Sequence, residues 1–236
     1  MQPVYVWIVI EVSLIMLFVV ALCLFNTALT CDSPQTTVPL DLDRMQTGDI
    51  IGSSFGLPAM MITRSMTRSV WGHVGIIWRC PITNELFVME GAHYKHPYQG
   101  VFKIPFATWL RINKRTLHLG HLQLHRNGVR CCLDPYQLET VFQEYVGATV
   151  DMYGLSWLRF GHIAPYEKPD RQESRTCQEI CISVLQDMGV VALEYSPAAY
   201  LSGDIMARRV DYDNGFHYAE CVGFDASEFH HRYESS

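Results

Sequence analysis

Two runs of β-forming residues joined by a short turn constrain the fold of this chain more than any other feature. The runs cover residues 71–80 and 85–92, and the sequence Pro-Ile-Thr-Asn separates them. Two such runs around a turn containing Pro and Asn predict a β-hairpin. If the loop is symmetric, with two or four residues, Cys80 faces Glu85. In the same register His73 faces Ala92.

That register places His73 and Glu90 on one face of the hairpin as diagonal neighbours. Such neighbours have Cα atoms about 7–8 Å apart, which side chains of this length can bridge. The pair therefore offers a general base and a carboxylate to orient it. A change of one residue in the loop would put them on opposite faces. Taken singly, each also fits a structural role, as a half-buried histidine or a solvated strand-end carboxylate; His93, on the other face, is the weaker partner.

A helix that begins on a cysteine is predicted further along the chain. Thr176 and Glu179 form a T-x-x-E capping box, so Cys177 is the expected first helical residue. Gly189 is placed to end the helix. The unpaired N–H groups and positive dipole of a helix start stabilise a thiolate, which makes Cys177 a candidate nucleophile. The alternative is a buried, inert thiol, and Cys181 fits that alternative because it lies in the apolar stripe.

The N-terminal segment, residues 1–29, is predicted to be a membrane anchor. Its only charged residue is Glu11, and residues 12–29 approach the length of about 20 residues that crosses a bilayer. Tyr5 and Trp7 fit an aromatic belt near the interface. The segment therefore predicts a single-pass membrane protein of unassigned topology, with the bilayer as a partner. A cleaved signal peptide is the alternative, although the segment has no basic n-region, a long apolar run and no A-x-A site.

Composition favours one globular domain behind that anchor. The formal net charge of −6 over 236 residues does not indicate a nucleic-acid-binding surface. The eight cysteines form no C-x-x-C pair, so neither a zinc ribbon nor a disulfide framework is indicated. We predict a linker over residues 30–44, a catalytic domain over 45–224 and a polar tail over 225–236.

Local patterns predict further elements of the domain. We expect a strand entered by the turn at residues 47–49, an amphipathic helix over 57–68, a helix over 135–146 with Asp134 as N-cap, and a last strand over 205–210. Residues 117–125 contain three histidines, which suggests a metal site. Their partial alternation of polar and apolar residues favours a half-buried strand instead.

The order of several short motifs resembles the circularly permuted, NlpC-like branch of the papain fold. The motifs are Gly48-Asp49-Ile50-Ile51, Gly72-His73-Val74-Gly75-Ile76, Met89-Glu90-Gly91-Ala92 and Thr176-Cys177-Gln178-Glu179, with Ser196-Pro197 beyond. This branch includes YiiX-type bacterial hydrolases, relatives in large DNA viruses and the lecithin–retinol acyltransferase type. The resemblance covers about residues 45–210. It implies an α+β, papain-like fold with an antiparallel sheet packed against helices, and it assigns the nucleophile to Cys177, the base to His73 and the third polar residue to Glu90.

The resulting hypothesis is a membrane-anchored cysteine hydrolase of the amidase or peptidase type. It would use a Cys177-His73-Glu90 triad through an acyl-enzyme, without a cofactor or a metal. Acyltransferase relatives favour histidine at the third position, so the glutamate leans toward a hydrolase. One alternative is an acyltransferase or phospholipase acting on membrane lipids with the same residues. Another is a catalytically inactive, membrane-tethered interaction module; an amide and an ester substrate are not distinguished.

Overall fold

A computed structural model describes residues 11, 13, 16–17, 34, 36–54, 69–93, 97–113, 116, 118–150, 175–194, 196–197, 200 and 202–225. Nearly all of the predicted anchor, the predicted helix over 57–68, the side chain of His93 and the tail beyond 225 lie outside this description. Within the described residues, no helix is both long enough and apolar enough to cross a bilayer.

The described residues form a mixed α+β fold built on two sheets. The strands are β1 (Thr37–Val38), β2 (Ile50–Ser53), β3 (His73–Arg79), β4 (Leu86–His93), β5 (Gln99–Pro105), β6 (Leu119–Leu122), β7 (Leu124–Arg126), β8 (Val129–Arg130), β9 (Phe216–Tyr218) and β10 (Val222–Phe224). The helices are α1 (Phe106–Ile112), α2 (Pro135–Gln143), α3 (Cys177–Asp187) and α4 (Ser202–Met206), with a 3-10 turn at Leu42–Arg44. The large sheet has the order β1-β10-β6-β2-β3-β4-β5, and the small sheet has the order β8-β7-β9. Neighbouring strands are antiparallel except β1 beside β10.

The hairpin of β3 and β4 pairs in the predicted register. Ile76 faces Met89 and Arg79 faces Leu86. The backbone N–H of Cys80 donates to the Glu85 carbonyl at 2.8 Å, which closes the loop. The predicted parity is therefore confirmed, and it puts the side chains of His73 and Glu90 on one face.

Both faces of the large sheet are covered by apolar side chains. Ile50, Ile76 and Met89 share one core cluster with residues of α2 and α3. Ile51 and Ile77 share the second cluster with residues of α1. Burial on both sides explains why these strands read as continuous apolar runs rather than as an alternation.

Helix α3 begins at Cys177, as the capping box predicts. Both halves of the box are present, and the backbone N–H of Thr176 donates to Glu179 Oε2 at 2.6 Å. Gly189, with a φ of 68°, follows the last turn. Ile182 and Ser183 are buried along with the predicted apolar stripe, because α3 packs against both β3 and β4. The start of α3 is thereby held beside the hairpin.

Four segments differ from the sequence prediction. Thr37–Val38, assigned to the linker, form an edge strand paired with β10. The histidine-rich segment splits into β6 and β7, which belong to different sheets. The predicted strand over 205–210 is wrong, because its start belongs to α4 and Arg208 has a φ of 60°, which extended strand backbone excludes. The Asp134 cap is confirmed, but α2 ends at Gln143 rather than at residue 146.

Gly91→Ala should destabilise the contact between β4 and α3. A Cβ at Gly91 would lie 2.2 Å from Ile180 Cδ1 and 3.2 Å from Val150 Cγ2. Overpacking of this kind costs about 1–3 kcal/mol in the free energy of unfolding, measurable by urea denaturation. Ile180→Val removes the clashing Cδ1, so the double variant should lose less stability than the two single losses added together. Strict additivity would contradict this contact.

Candidate active site

His73 and Glu90 form a buried pair on the hairpin. His73 is the first residue of β3 and Glu90 lies in β4. Nε2 of His73 is 2.5 Å from Oε2 of Glu90. The two residues are only 5% and 1% exposed. A carboxylate in this position orients the imidazole and favours its protonated form.

Cys177 completes this cluster from the start of α3. Its half-buried sulfur is hydrogen-bonded to the His73 side chain, to the backbone of Val74 and to the Ser202 side chain. Because Glu90 occupies Nε2 of the imidazole, Nδ1 is the ring nitrogen left for the sulfur. The thiol also lies 3.3 Å from Oε1 of Gln178. The three predicted site residues therefore come together, although more than a hundred positions of sequence separate the first from the last.

The electrostatics of this cluster favour a thiolate–imidazolium pair. Burial by itself would raise the pKa of Cys177, but the charge of His73 and the hydrogen bonds from His73, Val74 and Ser202 outweigh burial and lower that pKa. Burial by itself would lower the pKa of His73, but the negative charges of Cys177 and Glu90 outweigh it and raise that pKa to about 10. The two shifts support each other, because the charged form of each group favours the charged form of its partner.

The helix start offers groups that could bind an oxyanion. The capping box satisfies the N–H groups of Thr176 and Glu179. The first N–H groups of a helix have no intrahelical partner, and those of Cys177 and Gln178 therefore point out of α3 beside the sulfur. Donors beside the nucleophile are the arrangement that stabilises a tetrahedral oxyanion.

The sequence alone did not predict two residues of this cluster, Trp109 and Ser202. Trp109, in α1, donates its indole N–H to Glu90 Oε2 at 2.8 Å. Ser202, at the start of α4, hydrogen-bonds Cys177. Neither belongs to a local motif. For Trp109 the sequence offers only a general rule: a buried tryptophan usually donates its N–H to some acceptor, and the rule does not say which one.

The other candidate residues lie in different surroundings. Nε2 of His121 donates to the buried Asp49 carboxylate at 2.8 Å, and the ring centroid of His125 lies 5.5 Å from that of His217. Across the described segments, no group of three or more His, Cys, Asp or Glu side chains is arranged to hold a metal. Burial raises the pKa of Cys181. Hydrogen bonds from the Thr83 side chain and backbone, rather than an imidazole, lower the pKa of Cys80.

Comparisons with known proteins give little beyond this geometry. No protein-family model matches the chain, and no curated protein matches it. Among solved structures, the chain is similar to the metalloprotein yiiX from Escherichia coli O157:H7, with 18% identity over 62% of this chain and 69% of that chain, at a TM-score of 0.42. A likeness at this level assigns neither a family nor an activity to the chain.

Proposed function

We propose that this chain is a cysteine hydrolase with a circularly permuted papain-like fold of the NlpC type, acting on amide bonds. The observation that carries the proposal is the unbroken contact from a helix-start thiol, through a buried imidazole, to a buried carboxylate. Nucleophile, base and orienting group in this order are the arrangement of covalent acyl transfer.

Each group has one part in the proposed reaction. The Cys177 thiolate attacks the substrate carbonyl carbon, and the oxyanion that forms accepts hydrogen bonds from the N–H groups at the start of α3. The His73 imidazolium gives its proton to the leaving amine as the carbon–nitrogen bond breaks, which leaves a thioester on Cys177. His73 then takes a proton from water, whose oxygen attacks the thioester. Release of the carboxylic acid restores the thiolate and the imidazolium.

The pH dependence of hydrolysis should be bell-shaped. The rate should rise as Cys177 ionises, at a pH below the ordinary thiol value of about 8.5, because its pKa is lowered. The rate should fall as His73 loses its proton near pH 10, since the leaving group then has no acid. Initial rates across this range give both limbs. An acid limb at or above pH 8.5 would contradict the ion pair.

Trapping of the acyl-enzyme tests the proposed function directly. The full chain is incubated with panels of peptide amides, simple amides and lipid esters, then quenched in acid, and Cys177 is examined by peptide mass spectrometry. Lipid esters belong in the panel because the predicted N-terminal anchor would keep the site near a bilayer. We expect an acyl adduct on Cys177 from an amide, and none on that peptide in Cys177→Ala.

The same experiment separates the alternatives. Adducts from lipid esters alone would replace the amidase proposal. Transfer of the acyl group to a second lipid would indicate a lipid acyltransferase, and its release to water would indicate a phospholipase. A chain that forms no adduct and whose Cys177 is alkylated with an ordinary thiol pH profile would be an inactive interaction module. Either result overturns the hydrolase proposal.

A further inference from the structure

The carboxylate of Glu90 is held through a single oxygen. Oε2 meets Nε2 of His73 at 2.5 Å and accepts the indole N–H of Trp109 at 2.8 Å. Oε1 is buried without a hydrogen-bond partner among the described residues. Glu90 is 1% exposed and Trp109 is fully buried. Trp109 is therefore the second anchor of this carboxylate, beside the histidine that it orients.

The indole restricts where the proton of this pair can reside. Indole Nε1–H is a donor only, so Oε2 must act as its acceptor. A proton on Oε2 would weaken that acceptor, whereas an ionised carboxylate strengthens it. The indole thus favours the proton on Nε2 of His73. The imidazole then turns Nδ1 toward Cys177.

The position of the indole is itself fixed by the surrounding structure. The rings of Phe106 and Trp109 stack with centroids 6.0 Å apart. The side-chain amide of Asn113 donates to the Trp109 carbonyl at 3.0 Å, and the Ser53 hydroxyl donates to Asn113 Oδ1 at 3.3 Å. Ser53 faces His73 in the pairing of β2 with β3. The contacts that support the indole therefore lead to Ser53 in β2, which is the strand residue opposite His73.

We propose that Trp109 is a positioning residue that fixes the Glu90 carboxylate and thereby holds the His73 ring with Nδ1 toward Cys177. Its role in turnover rests on the proposed function, whereas the coupling itself is a property of the folded chain. The indole does not touch a substrate and acts only through Glu90 and His73.

Trp109→Phe tests this coupling because it keeps an aromatic ring and deletes the N–H. Trp78→Phe is a matched control, since Trp78 in β3 donates its indole N–H over the same distance, 2.8 Å, but to the Pro135 carbonyl. The first readout is the proton NMR signal of the His73 Nε2–H, expected at low field because its hydrogen bond is short. In Trp109→Phe this signal should move upfield or exchange away. In Trp78→Phe it should stay in place.

The second readout is the pH profile of Cys177 alkylation by iodoacetamide in the full chain, followed on the Cys177 peptide. Loss of one hydrogen bond to a charged group corresponds to about a tenfold effect. We therefore expect the midpoint of the profile to rise by about one pH unit in Trp109→Phe. Profiles of Trp109→Phe and Trp78→Phe that both match wild type would overturn the proposal.

A third measurement leaves both tryptophans intact, in case Trp109→Phe fails to fold. In Glu90→Gln, the indole N–H signal of Trp109 should shift while that of Trp78 does not, and an unmoved Trp109 signal would also overturn the proposal. Failure of the proposed function is recognised separately. In that case the NMR and alkylation effects persist while no substrate acylates the wild-type chain.

Discussion

His73→Ala should slow alkylation of Cys177 at pH 7 by about 30-fold, because a thiol with an ordinary pKa near 8.5 is only about 3% ionised at that pH. In the wild-type chain the imidazolium and its hydrogen bond hold the pKa of Cys177 below that range. Without the ring, only the hydrogen bonds from Val74 and Ser202 still oppose the burial of the sulfur, so the pKa of Cys177 rises. Hydrolysis of an amide should fall further, by about 10²–10⁴-fold, since the general acid and base are removed as well.

The measurement is the rate of iodoacetamide labelling on the Cys177 peptide at several pH values. Peptide-level detection matters because hydrogen bonds also lower the pKa of Cys80, which would contribute to a bulk thiol assay. His125→Ala is the matched control, as it removes a partly exposed imidazole that packs on His217. A wild-type rate for Cys177 in His73→Ala would exclude His73 as its ionising partner.

Asp49→Asn should destabilise the fold by about 3–5 kcal/mol, the cost of breaking a buried ion pair by removing one partner. The Asp49 carboxylate is fully buried. Arg130 donates to its two oxygens at 2.7 and 2.6 Å, and Nε2 of His121 lies 2.8 Å away. The backbone N–H groups of Leu124 and Gln46 also donate to it, at 3.1 and 2.9 Å. An amide would turn its own donor group toward these donors.

Urea denaturation of the full chain, followed by tryptophan fluorescence, measures this loss. Asp41→Asn is the control: Asp41 pairs with Arg44 at 3.0 Å on the surface, and an asparagine still caps the following turn. Such an exposed pair contributes about 0–1 kcal/mol. Equal losses in Asp49→Asn and Asp41→Asn would contradict a stabilising role for the buried cluster.

The Asp49 carboxylate also makes the free energy of unfolding depend on pH in the acidic range. Burial would raise the pKa of Asp49, but hydrogen bonds from His121 and Arg130, together with their charges, outweigh burial and lower it. A group with a lowered pKa in the folded state stabilises above its unfolded pKa of about 3.9, and that contribution is lost as the pH falls through the folded value. Wild-type stability should therefore drop below about pH 4. In Asp49→Asn that drop should be smaller.

Local rules were enough for the features that run along the chain. The loop length set the parity of the hairpin, and parity alone puts His73 and Glu90 on one face. The capping box of Thr176 and Glu179 set the start of α3, because both of its hydrogen bonds close within three residues. Where two local signals competed, the prediction was wrong. The β-branched residues Ile205 and Val210 at the two ends of this range favour a strand. Met206 and Ala207 between them favour the helical turn that forms.

Contacts between distant elements carry no comparable signal in the sequence. Trp109 lies 19 residues from the carboxylate that it binds, and its helix reads as ordinary apolar packing. Ser202 reaches Cys177, and Arg130 reaches Asp49, only once α3, α4 and β8 have packed. β10 enters the large sheet beside β6, where Val222 pairs with His121 from far earlier in the chain.

The sequence by itself determined which residues begin the helix and which share a face of the hairpin, because capping and strand parity depend only on spacing. Tertiary structure alone decided that sulfur, imidazole and carboxylate meet, and that an indole completes them. The reason is physical: the packing of α3 against β3 and β4 is set by the summed burial of many apolar side chains, which no single motif records.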